Sequence, residues 1–152
     1  MVNKVPFNSL LVPTDFSANA WTAFEHACLM TDGDEAEIVV MHAVSPSIVS
    51  QLAQLGFGDH DTILKRLKQV ALEQLKRYSD ASNGYVNVDT LVCEGEPFLE
   101  IIRKAEDFAV DAIIMSKFGE RSPANAILFG STAEKVIRAS RKPVIVLPGE
   151  TS

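Results

Sequence analysis

The stretch from Met115 to Thr132, MSKFGERSPANAILFGST, holds two glycines, two basic residues and a Gly-Ser-Thr placed where a helix opens. Gly119 and Gly130 lack a Cβ, so the backbone there can approach a polyphosphate closely and turn N–H groups toward it. Unpaired amides and the positive end of the dipole at a helix start favour an anion by about 0.3–1 kcal/mol at an exposed site. Lys117 and Arg121 can add charge. A second candidate is Asp15 in PTDFS, whose carboxylate could accept hydrogen bonds from a ribose hydroxyl or an adenine amino group. Each feature has a plainer alternative. Ser131 and Glu134 in STAE have the spacing of a capping box, glycines are common in long loops, and Asp15 can simply serve the helix that follows it.

Other chemistries find less support. The chain has no GxxxxGK[ST], and no GxGxxG follows its first strand, so neither a P-loop nor a dinucleotide fingerprint is present. It has no GxSxG elbow, and no histidine is expected near Ser131. His26 falls in a helix, His42 near a strand end and His60 alone in a loop, without metal-ligand spacing. Magnesium, commonly held by phosphate oxygens and water, can still arrive with a triphosphate. Cys28 and Cys93 form no CxxC and read as small buried hydrophobes.

The elements that must position these residues follow from the apolar pattern. SLLVP, EIVVMHAV, VDAIIMS and KPVIVLP are continuous apolar runs suited to parallel strands covered on both faces, and NGYVNVDTLVC alternates like a half-exposed strand. Helical periods run through SANAWTAFEHACLM, DTILKRLKQVALEQLKRYS, EPFLEIIRKAEDFA and STAEKVIRASR. From Ser45 to Asp61 the pattern loosens around Pro46, Gly56 and Gly58, and reads as a loop on the side of the strand ends. The order predicts an α/β fold: an open five-stranded parallel sheet, strand order 3-2-1-4-5, with helices on both faces. Strands 1 and 4 then meet at the switch point, where such sheets bind ligands, and the loops carrying Asp15 and Gly119 line one crevice.

At 152 residues, 47% hydrophobic and 22% charged, the chain has the composition of a globular protein and is expected to form a single domain over residues 1–152. A net charge of −6 argues against a nucleic-acid surface. With no apolar run near the roughly 18 residues of a spanning helix and no signal-peptide layout, the expectation is a cytoplasmic protein without a membrane segment.

Taken together, LLVPTDFS, VVMHAV, CEGEPFLEII, DAIIMSKFGE and ILFGSTAEKVIRASRKPVIVLP resemble the universal stress protein family, from about Phe7 to Pro148. The resemblance implies a Rossmann-like domain that binds an adenine nucleotide, is usually dimeric, and acts in stress physiology rather than as a dedicated enzyme. In ATP-binding members a Gly-two-Gly-nine-Gly-Ser/Thr pattern holds phosphates and ribose. Carried over, it implies ATP contacts at Pro13, Thr14 and Asp15, at the backbone of Ala43, and at Met115, Ser116, Gly119, Gly130, Ser131 and Thr132. Two departures stand out. Ser116 replaces the first glycine, and ten residues separate Gly119 from Gly130, with Pro123 a place for the extra one.

The expected function is ATP binding in the crevice, with or without magnesium, as a stress-response regulatory module. The rivals are a nucleotide-free interaction protein of the same fold and a weak ATPase relying on Asp15. Strand 5, Pro143 to Leu147, is apolar and at a sheet edge; pairing with a second copy would cover it, giving a homodimer, unless Pro143 and Pro148 merely blunt the edge.

Overall fold

The computed structural model describes residues 7–31, 34–119 and 129–149. The apolar runs form parallel strands β1 (Ser9–Pro13), β2 (Glu37–Val44), β3 (Asn87–Glu94), β4 (Ala112–Ser116) and β5 (Val144–Leu147), in the spatial order β3-β2-β1-β4-β5. The helices are α1 (Ala18–Met30), α2 (Pro46–Gln54), α3 (His60–Ala81), α4 (Pro97–Asp107) and α5 (Ser131–Ala139).

Alternation along the strands builds two cores, one on each face. Leu10, Val12, Ile38, Val40, Ala112 and Ile114 meet Phe24 and Ala27 of α1 and Leu75 and Tyr78 of α3. On the other face, Leu11, Val39, Met41, Ile113 and Met115 meet Ile101 and Ala105 of α4 and Ala133 and Val136 of α5. Each fully buried Leu, Ile or Val contributes about 1.5–3 kcal/mol of transfer free energy, which is why the central runs are apolar without interruption. β3, at the edge, is only half covered, as its alternating sequence implies.

The segment expected as a loop, Ser45 to His60, instead contains α2. Ser45 is its N-cap, Pro46 occupies the first turn, and buried Val49 joins Val44 and Ile63 in a small third core. The two glycines fall after the helix, in the turn to α3. Cys28 and Cys93 are half-buried rather than fully buried, and burial raises both thiols above their ordinary value.

The turn after β1 is fastened from three directions. Thr14 Oγ1 pairs with Tyr78 Oη of α3 at 2.7 Å and accepts the Phe16 amide at 2.9 Å, while the Thr14 amide donates to the Met41 carbonyl at 2.8 Å. The Thr14 carbonyl lies 2.8 Å from His42 Nδ1; a carbonyl can only accept, so Nδ1 carries the proton. Phe16 is held at φ 66, unusual for a bulky residue, with its ring 4.5 Å from that of His42. Ser17 then caps α1, accepting from the Ala20 amide at 3.2 Å.

The entry to α4 depends on Gly95. Its φ of +154° disfavours any side chain, and an added Cβ would meet Glu100 Cγ at 2.7 Å. Glu100 is buried and cannot retreat freely, since its Oε1 accepts from Arg103 at 2.8 Å.

Gly95→Ala should therefore lower stability by about 1–3 kcal/mol, seen as a lower urea midpoint with unchanged slope; an unchanged midpoint would refute this account of the α4 entry. Burial holds the His42 imidazole below its ordinary 6.5, against the opposing pull of the Thr14 carbonyl and the Asp15 charge. Below pH 6.5 the unfolded chain takes up a proton that the folded chain refuses, so stability falls as pH drops through that window and is restored above it. Urea unfolding at about pH 7.5 and about pH 5.5 should show a smaller acid loss for His42→Gln than for the wild type. Equal losses would show that His42 has no part in the pH dependence.

Candidate functional site

Because β1 lies between β2 and β4, the carboxyl ends of these three strands open onto one space. A cleft of about 770 Å³ occupies it. All ten residues singled out from the sequence line this cleft: Pro13, Thr14 and Asp15 after β1, Ala43 near the end of β2, Met115, Ser116 and Gly119 at the end of β4, and Gly130, Ser131 and Thr132 at the start of α5. Arg121 and Pro123 lie outside the described residues.

Asp15 is held in the turn, its Oδ1 accepting from the Ser17 amide at 3.0 Å. Its other oxygen, Oδ2, sits where a side chain at position 119 would begin: a Cβ on Gly119 would come within 2.6 Å of it. Glycine is needed there so that the two loops can close on one another, which is a more specific reason than general backbone freedom.

The stretch from β4 to α5 is pinned at both ends. The Lys117 amide donates to Leu147 O and the Gly130 amide donates to Lys117 O, each at 2.8 Å. The Gly130 N–H is therefore taken by the protein. The first intrahelical bond runs from the Glu134 amide to Gly130 O at 3.0 Å, so the amides of Ser131, Thr132 and Ala133 precede the helical ladder. The N-cap is Gly130, with no side-chain cap hydrogen bond. The capping box suggested by STAE does not form, because Ser131 is already helical and Glu134 instead accepts from Arg138 at 3.0 Å. The Lys117 ammonium lies over the rings of Phe118 and Phe129, 5.1 and 5.4 Å from their centres.

Ser116, the departure from the glycine pattern, turns its hydroxyl onto its own loop and donates to Phe118 O at 2.6 Å. The side chain thus tightens the turn that brings Gly119 to Asp15. Several lining residues were not singled out from the sequence: His42, Ile48 of α2, Pro97 and Ile101 of α4, and Phe129. All but Ile48 fall inside the motifs VVMHAV, CEGEPFLEII and ILFGST, yet nothing in those motifs says that these side chains reach the cleft; tertiary packing brings them there.

The cleft thus combines an acceptor at Asp15, donors at the first turn of α5 and apolar walls from Met41, Ile48, Ile101 and Met115. This is a surface for a ligand with an anionic end, hydroxyl or amino donors, and a flat apolar part. Among the described residues no group of three or more His, Cys, Asp or Glu could hold a metal ion, and no helix is long and apolar enough to cross a membrane.

The sequence matches the model of the Universal stress protein family over residues 6–148. It is 28% identical to Universal stress protein MJ0577 of Methanocaldococcus jannaschii, across 98% of this chain and 99% of that protein. The solved structure of MJ0577 superposes with a TM-score of 0.86 at 28% identity, covering 97% of this chain and 100% of the other. Two more distant solved proteins share the fold: a universal stress protein in complex with cAMP (TM-score 0.68, 17% identity, 96% and 100% covered) and one from Arabidopsis thaliana with AMP bound (TM-score 0.62, 12% identity, 94% and 92% covered). With the sheet order expected from its motifs and a match running from residue 6 to residue 148, the chain belongs to the universal stress protein family.

Proposed function

We propose that this chain binds an adenine nucleotide, ATP foremost, in the cleft between the β1 and β4 loops, and serves as a cytoplasmic stress-response binding module whose occupancy acts on a dimer surface. The observation that carries this reading is the convergence of Asp15 and the uncapped first turn of α5 on one cleft, with Gly119 packed against the carboxylate. Asp15 would accept from ribose or adenine donors, and the amides of Ser131 and Thr132 would meet phosphate. The binding of cAMP and AMP by two proteins of this fold supports the same ligand class. Magnesium would be held by the phosphates and water, since the described residues supply no cage of their own.

The partner in this reading is a second copy of the chain. β5 occupies the edge of the sheet and its four residues are only half-buried, so an apolar strand offers its free side to another strand. Two-fold pairing there would leave both clefts on the assembled sheet. Hydrolysis is not part of the proposal, because among the described residues Asp15 is the single carboxylate lining the cleft and it is already engaged by the Ser17 amide.

At about 100 times its dissociation constant, Mg-ATP should add about 2.7 kcal/mol of stability, raising Tm by about 5–10 °C for a domain of this size, while GTP gives a smaller rise. Gly119→Ala should unfold near the wild-type temperature, because only the tip of Asp15 must move aside, yet lose most of the ATP-induced rise. A rise that Gly119→Ala retains in full would refute the role given to Asp15; no rise at millimolar ATP would favour the nucleotide-free interaction protein.

A further inference from the structure

We infer that Lys117 makes this cleft prefer a nucleoside triphosphate to the monophosphate, by setting a whole positive charge at the helix end of the site. The inference rests on the nucleotide reading above and assigns to one side chain the choice of how many phosphates the ligand carries. Lys117 lines the cleft and is half-buried, where lysines are mostly exposed. Its backbone is fixed on both sides: the amide donates to Leu147 O and the carbonyl accepts from the Gly130 amide, each at 2.8 Å. From there the side chain runs over Phe118, which is buried, and Phe129, which lines the cleft, with the ammonium 5.1 and 5.4 Å from the two ring centres.

Phe129 directly precedes Gly130, the N-cap of α5. The ammonium is thus carried to the end of the helix where partial positive charge already gathers. The dipole alone opposes a cation there, and an anion between the two reverses the sign. The rings serve the same end, since a flexible side chain already held over two aromatic faces loses less freedom when a phosphate meets it. The first turn of α5 offers amides and about half an elementary charge, enough for one phosphate. Each further phosphate brings negative charge that one helix end leaves unbalanced, and Lys117 supplies a full charge with N–H donors to meet it. Asp15 belongs to the nucleoside end in this reading; its carboxylate lines the same cleft and repels a phosphate chain, which the Lys117 charge offsets.

The test is calorimetric titration of ATP, ADP and AMP, each with excess magnesium, into the wild type, Lys117→Met, which keeps a stem over the rings, and Lys117→Arg, which keeps the charge. The wild type should bind ATP about tenfold or more tightly than AMP, with ADP between. Lys117→Met should weaken ATP about tenfold, the worth of one charge-assisted hydrogen bond, and AMP by no more than about twofold, while Lys117→Arg keeps the wild-type ratio. Added salt should weaken ATP binding more in the wild type than in Lys117→Met, as screening of that one charge requires. Equal losses for ATP and AMP in Lys117→Met would make Lys117 a support of the loop and overturn the inference with nucleotide binding intact. A wild type that binds AMP as tightly as ATP would overturn it too, and that result depends on no variant. Failure of the wild type to bind any of the three would bring down the nucleotide reading and this inference with it.

Discussion

The burial of β1 between β2 and β4 governs the rest of the molecule. Leu10, Leu11 and Val12 have no exposed surface, and their alternating side chains are shared between the α1–α3 core and the α4–α5 core. A strand so enclosed cannot shift register by one residue without turning both cores inside out. Its end at Pro13 is consequently a fixed point. The chain must leave the sheet there, beside the end of β4, and the space between the two departing loops is what a ligand can use.

Fixing the strand alone would leave the turn loose, and the structure spends a set of tertiary contacts to prevent this. Tyr78 reaches Thr14 from α3 and His42 reaches it from β2, so that a turn of four residues is held by elements 28 and 64 positions away in the chain. Trp21 and Phe24 of α1 surround Tyr78, with ring centres 4.7 and 5.0 Å from it. Thr14, next to Asp15, is thereby tied to the aromatic cluster on one face of the sheet, while the first turn of α5 belongs to the core of the other. A ligand that spans Asp15 and Ser131 would bridge the two layers.

Much of this was legible from residues alone. The five strands and their spatial order follow from apolar runs of strand length separated by helical periods, and the ten site residues lie together because the order of the strands brings their ends together. α2 was hidden because it is only nine residues long and begins at Pro46, and Gly56 and Gly58 suggested a loop although they only follow the helix; its apolar residues Ile48, Val49, Leu52 and Ala53 do have helical spacing. The capping box at Ser131 misled because the pattern does not state which residue is the cap; the Gly130 amide bond to Lys117 O sets the helix start one residue earlier. Tyr78 and His42 left no local sign of their roles, since each depends on a register visible only in the assembled fold. Ser116 could be seen as a departure, but the direction of its hydroxyl could not.

The central claim is that the two loops form one nucleotide site. An amide NMR titration of the folded chain with Mg-ATP tests it most directly, because it reads both loops at once without a substitution. The account predicts shifts concentrated at Asp15, Ala43, Ser131 and Thr132, saturating together with a single dissociation constant. Shifts confined to one loop, or gathered instead on the α2–α3 turn around Leu55 and Phe57, would contradict it.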